Sequence, residues 1–107
     1  MQRNIKSHID GVLENIMIIL NSNFYKNEDK NGLEDVYVKM KKWYEFYKEK
    51  NSLKGIEPYD LKNMDFDITD FFDKYIATEN VKENYAERLL HDFGYLEKEW
   101  KKEMLGV

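Results

Sequence analysis

A chain of 107 residues with 15% aromatics and a formal charge of −4 reads as a single domain, 1–107, with a real but modest core. It has no cysteine, so a disulfide framework, a thiolate metal site and a Cys nucleophile are all excluded. The mild acidity argues against a general nucleic-acid binder, which carries a basic excess or stripe.

The first apolar set is Ile5, Ile9, Val12, Leu13, Ile16, Met17, Leu20 and Phe24. Its three- and four-residue spacing is a helical face. The longest apolar run within it, Ile16 to Leu20, is five residues, too short to span a bilayer. No charged segment is followed by an apolar stretch and a small-residue cleavage site. A soluble, cytoplasmic protein is expected. Richness in Asn, Lys and Ile suggests an AT-rich bacterial or phage genome.

Residues 27–32 read as a polar loop. A second helix is predicted to start at Asn31, with Glu34 at N3 completing a capping box. Its stripe is Leu33, Val36, Tyr37, Met40, Trp43, Tyr44 and Tyr47, and its lysines lie mostly off that stripe. The aromatics crowded on it, Phe46 included, leave room for exposed rings and an open oligomeric state. Gly55 and Pro58 form the clearest break in the chain.

A short third helix is expected with Asp67 as N-cap and with Phe66 and Phe71 as a hydrophobic staple. Ile68, Phe71, Phe72, Tyr75 and Ile76 would be its buried face. The fourth helix is placed from Asn80, capped with Glu83. Its stripe runs through Tyr85, Leu89, Phe93, Leu96, Trp100 and Met104, supported by Val81 and Ala86. Gly94 inside that helix suggests a close contact or a kink, since it costs about 1 kcal/mol relative to Ala. No segment alternates with period two. The fold class is therefore all-α, a small antiparallel four-helix bundle with one short helix.

Several patterns could carry chemistry. Arg3-Asn4-Ile5-Lys6-Ser7-His8 resembles the R-N-x-x-x-H signature of HEPN ribonucleases. That resemblance implies an Arg3 and His8 pair at a dimer cleft that cleaves RNA, the His moving protons and the Arg holding phosphate charge. Glu87 and His91 share a helix face, but ferritin-like di-iron sites need Glu-x-x-His on two helices, and no second set exists. Asp65, Asp67 and Asp70 fail as an EF-hand, because Asp70 stands where Gly is needed and Ile76 where Glu is needed. Tyr95 and Glu99 form a Y-x-x-x-E pattern that resembles the small helical substrates and partners of type VII secretion. Those are two-helix hairpins, and Pro58 and the third helix depart from that plan. No cofactor and no metal are expected.

Charge changes sign across the middle. Residues 39–54 carry six lysines against two glutamates, and residues 57–79 carry seven carboxylates against two lysines. Carboxylates at a helix start gain about 0.3–1 kcal/mol each from the macrodipole, which accounts for some of them. Tyr59 beside Pro58, with Asp60, Asp65, Asp70 and Asp73, is the remainder. An acidic, aromatic-bearing surface suits capture of a basic protein, since complementary charge speeds encounter and aromatic anchors supply affinity. The expectation is a non-enzymatic protein-binding domain that sequesters or inhibits a protein partner with a basic surface, in the manner of small immunity or inhibitor proteins. The alternatives are the HEPN-like ribonuclease and the secretion partner.

Overall fold

The computed structural model describes residues 4–75 and 84–106. Its four helices are α1 (Ile5–Asn21), α2 (Asn27–Lys50), α3 (Pro58–Tyr75) and α4 (Tyr85–Leu105). Each packs on its neighbour in the chain, and α1 also packs on α4, so the four close into a ring. Residue pairing gives the directions. Lys39 reaches Asp60 while Asp29 reaches Tyr75, so α2 and α3 run antiparallel. His8 stacks on Tyr95 while Glu14 and Arg88 line one groove between α1 and α4, so these two helices run antiparallel as well. The molecule is an all-α antiparallel bundle.

The core follows the helical spacing. Ile9, Val12, Ile16 and Ile19 of α1 meet Leu33, Val36, Met40 and Trp43 of α2. Leu61, Met64, Ile68 and Phe71 of α3 and Leu89, Phe93 and Leu96 of α4 complete it. Each such side chain stabilises the fold by about 1.5–3 kcal/mol relative to exposure.

Helix starts differ from expectation at two places. The second helix begins at Asn27, so residues 27–32 form its first turns and Asn31 is not a cap. Its N-cap is Lys26, which makes no side-chain capping bond. The signal lies instead in Glu28 and Asp29, acids at a positive helix end. Lys30 is buried there and closes the end of α1, its Nζ donating to the carbonyls of Ser22 (2.7 Å) and Leu20 (3.3 Å). Those carbonyls lack intrahelical partners, which explains a buried ammonium.

The third helix is not short. It starts at Pro58 and spans 18 residues, one more than the 17 of α1. Proline suits a first helical position, where its missing N–H costs nothing and its φ is preset. Asp67 is therefore mid-helix rather than an N-cap, and Phe66 is exposed rather than stapled to Phe71. The cap expected at Asn80 and Glu83 lies outside the described residues, as do Val81 and Ile76. The described part of α4 is capped by Asn84, whose Oδ1 accepts from the Glu87 backbone N–H at 2.9 Å. Gly94 faces open space, so neither a close contact nor a packing need accounts for it.

The connection between α2 and α3 is held at several points. Asn51 closes α2 in the left-handed conformation, φ 53°. The indole N–H of Trp43 donates to Leu53 O (2.7 Å), and that of Trp100 to Ile56 O (3.3 Å). The Glu103 carboxylate accepts from Ser52 Oγ (2.9 Å) and Leu53 N (2.7 Å). Gly55 presses on Phe46 so closely that a Cβ there would stand 2.3 Å from its Cγ. Tyr44, Phe46 and Tyr47 are each half-buried, so the crowded aromatics of α2 form no exposed patch.

Candidate protein-binding surface

The sequence of α3 sorts its own faces. Leu61, Met64, Ile68, Phe71 and Tyr75 recur every three or four residues and point into the core. The opposite ridge must then carry Tyr59, Asn63, Phe66, Asp70 and Asp73. Tyr59 is 74% exposed and Phe66 69% exposed. They stand seven positions apart, about two turns or about 10.5 Å along the axis. Asp70 and Asp73 extend the ridge towards its C-terminal end, and both are exposed.

The five residues singled out from sequence do not form one cluster. Tyr59, Asp70 and Asp73 share the ridge. Asp60 lies on the flank facing α2, its Oδ1 3.7 Å from Lys39 Nζ. Asp65, half-buried, lies on the flank facing α4. There it helps burial raise the carboxyl of Glu97 above its ordinary value. Phe66 belongs to this surface rather than to a staple with Phe71. The signal was available: Phe66 stands seven residues from Tyr59 and off the Leu61–Met64–Ile68 stripe.

Electrostatics on this side are partly internal. Lys39 is held above its ordinary value by its hydrogen bond to Asp35, with Asp60 and Asp67 adding attraction. Part of the sign change along the chain is thus closed where α2 packs on α3. Asp67 sits against Gly32, a Cβ on which would lie 3.1 Å from its carboxyl carbon. Burial there raises its carboxyl, and Asp35 raises it further. Asp70 pairs with Lys74 at 3.0 Å, and Lys74 also reaches Asp29 at 3.5 Å. Asp73 has no ion-pair partner among the described residues.

The motif residues have structural surroundings too. His8 is buried, its ring stacked on Tyr95 at 3.8 Å and 17°. Its Nδ1 lies 3.0 Å from Asn4 O, and because a carbonyl only accepts, Nδ1 carries the proton. Its Nε2 is 4.0 Å from the buried Asp92. His8 of one motif and Tyr95 of the other therefore pack on each other between α1 and α4. Arg3 lies outside the described residues. Glu87 bonds Asn84 Nδ2 at 2.8 Å, a capping role, while His91 lines a polar groove of about 390 Å³ with Gly11, Glu14, Asn15, Arg88 and Asp92. Among the described residues no group of three or more His, Asp or Glu side chains is placed to hold a metal ion. No described helix is long and apolar enough to cross a membrane.

No known protein family, curated protein or solved structure matches the chain.

Proposed function

We propose that the chain is a non-enzymatic protein-binding domain whose α3 ridge captures a partner with a basic surface. The observation that carries this is the pair of large rings, Tyr59 and Phe66, left exposed on one ridge and continued by Asp70 and Asp73. A few hot-spot side chains, with aromatics such as Tyr enriched among them, supply most of the affinity at protein interfaces, and nearby carboxylates steer a basic partner in and select its orientation. A compact domain that presents such a ridge on a rigid helix can block whatever basic surface it covers. This is the mode of a bacterial or phage inhibitor or immunity protein acting in the cytoplasm. Asp60 and Asp65 enlarge the acidic field around the ridge from its two flanks.

Affinity capture with wild type and with a Tyr59→Ala, Phe66→Ala, Asp73→Lys variant tests the reading. The expected result is a basic protein retained by wild type and lost by the variant, while helical circular dichroism and melting persist. Retention by the variant would place the surface elsewhere. Cleavage of labelled RNA that is abolished by His8→Ala would sink the binding-only reading.

A further inference from the structure

We propose that the α3 ridge is also self-complementary, and that two copies of the chain pack through it antiparallel with Phe66 at the two-fold axis. Exposed Lys62 borders the ridge, and charged or polar residues stand on both sides of Phe66. Lys62 and Asp70 stand four residues to either side of it, and Tyr59 and Asp73 seven. In an isologous contact a residue n before the axis meets the residue n after it, or its neighbour, on the other copy.

Laterality decides which pairs form. At about 100° per residue, Lys62 and Asp73 both fall about 20–40° to one side of the Phe66 line. Tyr59, Asn63 and Asp70 fall to the other side. A two-fold axis in the contact plane and perpendicular to the helices preserves those sides. Lys62 then meets Asp73 of the second copy, and Asp70 meets the Asn63 amide and the Tyr59 hydroxyl. The two Phe66 rings bury each other at the centre. A parallel arrangement would set Asp73 against Asp73 and Asp70 against Asp70, which like-charge repulsion disfavours. Lys62 and Asp73 are both exposed and make no ion pair among the described residues, so each is available.

A contact through one helix ridge lies at the small end of specific interfaces, so the dimer is weak, with a Kd of about 0.1 mM. Self-association and capture of a basic partner use the same ridge and exclude each other. The dimer does not require that partner to exist.

Sedimentation equilibrium of the whole chain, from about 10 µM to about 1 mM at low salt, tests the proposal. The expected result is a mass that rises from monomer towards dimer and falls back in high salt. Lys62→Asp and Asp73→Lys should each weaken the dimer at least tenfold. The charge-swapped double variant should restore it to within about threefold. Melting curves verify that each variant folds, which exposed positions allow. A chain that stays monomeric at the highest concentration overturns the proposal, and so does a swap that restores nothing. The two readings separate in Lys62→Asp: its ridge is more acidic, so it keeps capturing a basic protein while it no longer pairs with itself.

Discussion

Lys39 on α2 and Asp60 on α3 face each other across the helix pair, ammonium to carboxylate 3.7 Å apart. The lysine is also bonded to Asp35 at 3.0 Å, so Asp60 is the outer member of a three-charge cluster within the molecule. Its carboxylate is already engaged, unlike that of Asp73. We expect Asp60→Asn to leave capture of a basic partner within about threefold of wild type and to cost no more than about 1 kcal/mol of stability, as for other partly exposed pairs. Isothermal titration and urea unfolding read the two effects, and a loss of binding equal to that of Asp73→Lys would return Asp60 to the interface.

Phe66 and Phe71 differ only in the face they occupy. Phe71 is buried between Tyr25 and Tyr75, with ring centroids 5.2 and 4.8 Å away, while Phe66 stands in solvent. We expect Phe71→Ala to cost about 3–5 kcal/mol. Phe66→Ala should fall within about 0.5 kcal/mol of wild type. Chemical denaturation of both variants checks this, and a large loss at Phe66 would mean that its ring is buried after all.

Gly55 is required by crowding. The Cβ of an alanine there would sit 2.3 Å from Phe46 Cγ and 2.7 Å from Phe46 Cβ, atoms close to the backbone that cannot swing aside. Gly55→Ala is expected to destabilise by about 1–3 kcal/mol through overpacking. Adding Phe46→Ala should recover part of that loss, a non-additivity that a double-mutant cycle measures directly.

Tyr75 ties α3 to the start of α2. Its hydroxyl donates to Asp29 Oδ2 at 2.6 Å and accepts from Lys26 N at 2.9 Å. The hydrogen bond from Tyr75, helped by the charge of Lys74, holds the Asp29 carboxyl below its ordinary value of 3.8. A carboxyl lowered in the folded state contributes stability that is fully present above its ordinary value and is lost as pH falls through the lowered one. Tyr75→Phe should therefore lower the urea midpoint at neutral pH, and the gap to wild type should narrow as pH drops below 3.8. A gap that stays constant into acid would show that Asp29 contributes no charge to the bond.

The stripes that built the core were legible because apolar side chains repeat with the helical period in every helix. Helix starts were not, for a local reason in each case. Asn31 with Glu34, and Phe66 with Asp67 and Phe71, satisfy capping patterns while lying inside helices, where the same spacing occurs by default. The true starts use weaker cues: acids after an uncapped Lys26, and a proline that breaks a helix anywhere except at its beginning. That error carried into the surface, since a stapled Phe66 belongs to the core. Tyr59, Asp70 and Asp73 are exposed, as polar residues off the apolar stripe should be wherever α3 begins. The engagement of Asp60 by Lys39 could not be read from a linear charge count, because it arises only when two oppositely charged helices pack side by side.

Both tryptophans of the chain, Trp43 and Trp100, grip the short stretch between α2 and α3. Intrinsic fluorescence excited at the red edge, where tyrosine does not absorb, thus reports on a single joint of the molecule. Opening of that joint would release both indole hydrogen bonds together and shift the emission in one step. The α3 ridge carries no tryptophan. Docking on a rigid ridge leaves the emission unchanged, so any spectral shift on binding a tryptophan-free partner identifies movement of the joint.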